Sequence, residues 1–344
     1  MLRSADEAHL RPNGARVHAV RETGAMDLIA DVRARYDRFA REEAPGRSAQ
    51  YAEWAAGVAA DERVLEMLAQ LPSPHRQPPV VFAVTRMLGA RGDYASWSEF
   101  VRNNAERVVA ECAARTTQTN EPLRCVPLLV ALDRIRGPVA LIEIGSAAGL
   151  CLCPDRYAYR FRTDDGEARL GESSVVLDAA VTDARAPRRM PEIVWRAGID
   201  LEPRDAREAD DRAWITGLIW PGETDRAARV EAALDVVAAD PPLVIAGDAA
   251  DPGVLADLVA RAPADTTIVI ATVGVLPHLP REARDRLIAT IRELPARWVT
   301  LDAPGLHEAW DPAVDVDEWE GFVLALDGRP IAAADPLGSW VRGV

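Results

Sequence analysis

The run VALIEIGSAAGL, from Val139 to Leu150, holds the residues best placed to do chemistry. Apolar and β-branched residues end in an acid, Glu143. A glycine turn follows at Gly145, then small residues that can open a helix. The pattern predicts a buried strand, a tight βα turn and a helix N-terminus pointing at a ligand. Gly145 allows the turn, and Gly149 lets the helix lie close to the sheet. Glu143, at the strand's carboxyl end, can accept hydrogen bonds from ligand hydroxyls or amines. Ser146 and Ala147 complete the candidate cradle.

Gln118, Thr119, Asn120 and Glu121 come just before the helix that leads to this strand. A chain entering there can reach back over the sheet's carboxyl edge. Asn120 and Glu121 can orient a substrate amine or hydroxyl and are the catalytic candidates here. Arg115, Gln118 and Arg124 are the substrate-binding candidates. Either arginine can hold a carboxylate or phosphate through its planar fork. The same residues also suit a helix start, with Thr119 or Asn120 as cap and Glu121 favoured by the dipole. His278, in Val275-Leu276-Pro277-His278, follows a predicted strand and can serve as a general base near neutral pH. His307 has weaker context. Cys112, Cys125, Cys151 and Cys153 show no metal-ligand spacing and read as buried thiols. No nucleophile elbow, P-loop or zinc signature is present.

The elements that must position these groups fall into two stretches. Residues 27–136 read as helices only: 27–40, a helix capped by Ser48, 61–71, 79–88, 96–115 and 121–136. From Val139 onward strands and helices alternate. Predicted strands lie at 139–144, 193–199, 243–246, 267–275 and 297–301, with helices between. A hairpin-like insertion spans Tyr157 to Val176. A closing hairpin, 322–326 and 330–334, turns at Asp327-Gly328. Such alternation implies a mostly parallel sheet with right-handed crossovers. Ligands of such sheets sit at the strands' carboxyl ends.

The chain has 344 residues, 49% of them hydrophobic, so a sizeable core is available. Its formal net charge of −14 argues against broad contact with nucleic acid or an anionic membrane. No apolar run reaches the roughly 18 residues a membrane span needs. The first 26 residues lack periodicity and an apolar h-region. They read as a disordered tail before a start at Met26, and cysteines without a disulfide framework suit a reducing cytoplasm. Most of the nine tryptophans read as packing anchors.

The acid-first glycine loop resembles motif I of the class I S-adenosylmethionine-dependent methyltransferases. Asp200, in Gly198-Ile199-Asp200-Leu201-Glu202-Pro203, resembles the second-strand acid that takes the ribose hydroxyls. Asp248, after Gly247, resembles the third-strand acid that takes the adenine amine. In that fold the loop carrying His278 borders the transferred methyl. Ala147 replaces the middle glycine of the dinucleotide fingerprint, which disfavours a nicotinamide cofactor. Asp200 comes much farther along than the usual distance of about 20 residues. A closer resemblance spans the chain from about residue 27. It rests on RTTQTNE with Arg124, EIGSAAGL with Asp155-Arg156-Tyr157, RAGIDLEP, Trp220-Pro221 and DGRPIAAADPLGSW. These are similar to a bacterial family of unknown function with a methyltransferase-like domain, although Cys151 stands where Asn is expected.

The fold expectation is therefore α/β: a Rossmann-like, methyltransferase-type, mostly parallel sheet over 137–344, closed by an antiparallel hairpin. An all-α cap over 27–136 precedes it and would shield the substrate from water. The expected function is methyl transfer from S-adenosylmethionine to a small molecule. Glu143, Gly145, Ser146, Ala147, Gly149, Asp200 and Asp248 would hold the cofactor. The alternatives are a non-catalytic ligand-binding or interaction protein on the same fold, and a nicotinamide-dependent oxidoreductase.

Overall fold

The computed structural model describes residues 27–344. The tail expected over 1–26 lies outside the described residues. The described chain divides into two compact units. One contains the residues up to Thr117 together with Gly217–Thr224, and the other contains Gln118–Thr216 and Asp225–Val344. The division falls earlier than the 136/137 boundary drawn from sequence, and it is crossed again at 217–224.

The first unit is helical. Helix α1 covers 27–38 and runs into a π-turn at Phe39–Glu43. It is followed by α2 (Ala49–Ala60), α3 (Glu62–Ala69), α4 (Pro78–Leu88), α5 (Tyr94–Asn103) and α6 (Ala105–Ala113). Ser48, Asp61 and Asp93 cap α2, α3 and α5 by accepting backbone N–H bonds. The single helix expected over 96–115 is broken at Asn104, whose backbone leaves the helical region while its side chain donates to the Phe100 carbonyl. A buried aromatic cluster of Tyr36, Phe39, Tyr51, Trp54, Phe82 and Trp97 forms the core. Trp220 packs on Phe39 with ring centroids 5.0 Å apart, and Arg47 lies over its other neighbourhood at 3.7 Å from the ring. That contact places the Trp220-Pro221 turn in the helical unit.

The second unit is built on an eleven-stranded sheet. In chain order the strands are β1 (Val139–Ile144), β2 (Ala158–Thr163), β3 (Gly166–Leu170), β4 (Val176–Thr182), β5 (Ile193–Asp200), β6 (Leu243–Ala246), β7 (Thr267–Val273), β8 (Arg297–Asp302), β9 (Phe322–Leu326), β10 (Arg329–Ala334) and β11 (Trp340–Gly343). Their spatial order is β3-β2-β4-β11-β10-β9-β8-β7-β1-β5-β6. The five strands read as parallel from the sequence, β6, β5, β1, β7 and β8, are adjacent and parallel. Beyond β8, the strands β9 and β10 add as an antiparallel meander turning at Asp327 and Gly328, both with positive φ.

The insertion after β1 does form the hairpin β2–β3. It is not an appendage, however. With β4 it crosses to the far side of the sheet, and β4 pairs with β11 there. The chain then returns to place β5 beside β1. This excursion accounts for the sequence distance between Glu143 and Asp200. Neither β4 nor β11 was anticipated.

The helices of this unit are α7 (Cys125–Leu132), α8 (Ala209–Gly217), α9 (Thr224–Ala239), α10 (Pro252–Val259) and α11 (Arg281–Glu293). Every residue of α7 is buried, and it packs on β8, β9 and β11. The helix expected over 121–136 is thus shorter, and it belongs to the sheet unit. On the core face, Ile142, Ile144, Ile199 and Ile270 pack with α10 and α11 through Leu255, Leu258, Leu287 and Ile291.

Candidate functional site

The carboxyl ends of the parallel strands bring together most of the candidates read from sequence. At β1 the glycine turn forms as expected. Gly145 has φ +73°, and a Cβ there would run into the Val275 side chain. Gly149 has φ +77°, and a Cβ would stand 2.7 Å from Pro242. The α-helix expected after this turn does not form. The chain makes two 3₁₀ turns instead, Leu150–Leu152 and Pro154–Arg156. Pro154 supplies no N–H to continue a helix, and Cys153 has a non-helical backbone. Arg196 of β5 then pins the second turn through a fork on Asp155, at 2.9 Å to each oxygen. The α-helix N-terminus expected directly after this loop is therefore not formed.

Asp200, at the end of β5, braces that loop. Its Oδ2 accepts the Ala147 N–H at 2.7 Å, and its Oδ1 accepts the Glu202 N–H at 2.8 Å. The bond to Ala147 holds a non-glycine residue at φ +47°. Asp248, beyond the end of β6, is exposed and accepts the Ala250 N–H at 2.9 Å. Both acids are thus turn-formers, each with lone pairs left over. Ser146 is buried with an unpartnered hydroxyl. It fills the space above Gly198, where a side chain would collide with it.

Glu143 is 7% exposed, and its Oε2 has no partner. Burial drives its pKa well above the usual carboxylate range. Cys151 and Asp200 act in the same direction, and Arg124 opposes them. Glu143 therefore holds its proton more tightly than an ordinary carboxyl. Cys151, also buried, donates to the Glu121 carbonyl at 3.6 Å. Cys125, beside it, is pushed up by burial and is an inert thiol.

The QTNE segment belongs to this unit. Gln118 donates to the Glu202 carbonyl at 3.1 Å, leaving a buried Oε1 without a partner. Asn120 is buried with its Nδ2 unpartnered. Glu121, 1% exposed, caps the short Pro122–Arg124 turn through the Leu123 N–H at 3.0 Å. Its carboxylate also takes Arg229 at 2.9 and 3.1 Å and Arg226 at 3.0 Å, both from α9. Both oxygens of Glu121 are thus engaged by donors from its own turn and from α9. Sequence reasoning missed the α9 arginines. Their signal was two arginines three apart on an alanine-rich helix.

Arg124 donates from Nε to the Pro336 carbonyl at 3.1 Å and from Nη1 to the Val273 carbonyl at 3.2 Å. Its guanidinium lies against Gly274, where a Cβ would stand 3.0 Å from Nη2. The accepting Pro336 sits in a turn built by Asp335, which takes the Leu337 and Ser339 N–H groups. The segment from Gln118 to Arg124, the end of the EIGSAAGL run and the DPLGSW turn thereby converge on one place in the sheet unit. His278 is the exposed end of the Leu276–His278 turn after β7, whose Leu276 is buried in the core. Desolvation first, and then the Arg124 cation, holds its pKa below the usual histidine value. Arg115 belongs to the helical unit and pairs with Glu111 at 3.2 Å.

The fold and site define a mixed α/β protein with a large, mostly parallel sheet. A partly unsatisfied polar cluster lies at that sheet's carboxyl edge. The chain belongs to a bacterial family described as "Uncharacterized protein conserved in bacteria (DUF2332)", whose pattern matches residues 33–342. That description carries no methyltransferase domain. Neither the curated proteins nor the solved structures contain a match. Among the described residues, no helix is long and apolar enough to cross a membrane, and no cluster suited to a metal ion occurs.

Proposed function

We propose that the sheet unit binds S-adenosylmethionine at the carboxyl ends of β1, β5 and β6 and transfers its methyl group to a small-molecule acceptor. The observation that carries this reading is the pair of buried, unpartnered polar atoms flanking an exposed, left-handed Gly145, namely Glu143 Oε2 and Ser146 Oγ. Folded proteins rarely leave such atoms unsatisfied, so a polar ligand at the turn would complete them. The Glu143 carboxyl offers its unpartnered oxygen to a ligand. Asp200 fixes the loop and keeps lone pairs for a ribose. Asp248 is free to receive an adenine amine.

The cofactor's sulfonium supplies an already activated methyl group, so alignment contributes most of the rate. This chain's residues then need only to hold an acceptor and take its proton. His278 is kept neutral by desolvation and Arg124, so it can accept that proton at neutral pH. The Asn120 amide can orient the acceptor. The same cluster would equally serve a protein that binds without turnover, and the saturated Glu121 favours that second reading.

Calorimetric titration with S-adenosylmethionine and S-adenosylhomocysteine tests the proposal. Micromolar binding is expected, abolished in Gly145→Val and Asp200→Ala. Asn120→Ala and His278→Ala should keep that affinity and lose turnover. Absence of binding at millimolar ligand would overturn the cofactor reading. Binding with no turnover to lose against any acceptor would favour the second.

A further inference from the structure

Arg124 is a partly buried cation that makes no ion pair among the described residues. Its two hydrogen bonds go to neutral carbonyls. The nearby acids do not serve. Glu143 makes no ion pair with it, one of its oxygens being left without any partner, and Glu121 is already taken by Arg229 and Arg226. Taking a cation out of water is costly unless it is paired. Here the fold goes to some length to keep it in place. Gly274, at φ +72°, leaves room for the guanidinium, and the Asp335 turn presents a carbonyl to its Nε. Nη2 is left without a partner, on a residue that remains partly exposed. Asn120, on the same segment, contributes a second buried donor without a partner.

We infer that Arg124 is the receptor for a carboxylate or phosphate of the ligand bound at the carboxyl ends of β1 and β7. The inference rests on that edge being the ligand site, but it does not require the ligand to be S-adenosylmethionine. The anion can be the amino-acid end of the cofactor or an acidic group of the acceptor. Either would supply the missing charge and engage the fork of the guanidinium.

The test compares wild type, Arg124→Gln and Arg124→Lys in binding three probes. S-adenosylhomocysteine carries a carboxylate, methylthioadenosine has the same nucleoside without it, and inorganic phosphate is a bare anion. If the cofactor supplies the anion, Arg124→Gln should weaken S-adenosylhomocysteine at least tenfold and leave methylthioadenosine unchanged. If the acceptor supplies it, S-adenosylhomocysteine should be indifferent, while phosphate stabilises wild type and not Arg124→Gln. Failure of both adenosyl compounds, with phosphate still dependent on Arg124, would end the cofactor reading and uphold the receptor. Indifference of every anionic probe to Arg124 would overturn the receptor whatever the adenosyl compounds do. Should Arg124→Gln not fold, Arg124→Lys keeps the charge and loses the fork, and should weaken the responsive probe by a smaller factor. In wild type the His278 ring signals give an independent reading. An anion seated on Arg124 should raise the His278 pKa, and an unmoved His278 titration with every probe would count against the receptor.

Discussion

At the scale of single residues, the carboxyl edge separates two kinds of acid. Glu121 is a carboxylate surrounded by donors, and Glu143 is an acid with one oxygen left without a donor. Removing the first leaves the α9 arginines facing a buried void. Glu121→Ala should cost about 3–5 kcal/mol in chemical denaturation, as for other buried pairs broken on one side. Glu143 behaves in the opposite sense. In the unfolded chain it ionises near pH 4.3, while in the fold it keeps its proton well above that. Above pH 4.3 the unfolded state therefore binds fewer protons, and stability falls as pH rises toward the folded pKa. Glu143→Gln cannot ionise. Its melting temperature relative to wild type should rise as the pH is raised above 4.3, and a constant margin would contradict the buried-acid assignment.

At the scale of elements, short-range chemistry was readable where the residue itself sets the backbone. Ser48 as a cap, Asp327-Gly328 as a hairpin turn and Gly145 as a left-handed turn all follow from side-chain size and hydrogen-bonding groups. The helix after Gly149 was not readable. Its small residues suit a helix, but Pro154 and the Arg196–Asp155 fork, which joins residues far apart in sequence, decide otherwise. Break points inside helical stretches, such as Asn104, share that difficulty. In the helical unit, Phe82 meets Tyr36, Phe39, Tyr51, Trp54 and Trp97. Phe82→Ala should therefore cost about 3–5 kcal/mol, seen as an earlier denaturation midpoint for that unit.

At the scale of the whole molecule, β11 matters beyond its four residues. It pairs with β10 on one side and β4 on the other, so it joins the β2–β4 extension to the rest of the sheet. Val341 is fully buried at its centre. Val341→Asp would bury an unpaired charge between two ladders and should unfold the sheet unit or cost more than about 4 kcal/mol. Soluble, cooperatively folding V341D protein with near wild-type stability would contradict this role.

The sequence by itself determined the helical first stretch, the five parallel strands and the left-handed glycine turn at the end of β1. These depend on periodicity and on residues that dictate their own backbone, so they are local. Only the tertiary structure decided that β2–β4 crosses to the opposite edge and that α7 lies on the sheet. It also decided that Glu121 is spent on α9 while Arg124 is left unpaired. Each of these rests on partners tens to hundreds of residues away, and no local pattern encodes which distant strand or charge a group will meet.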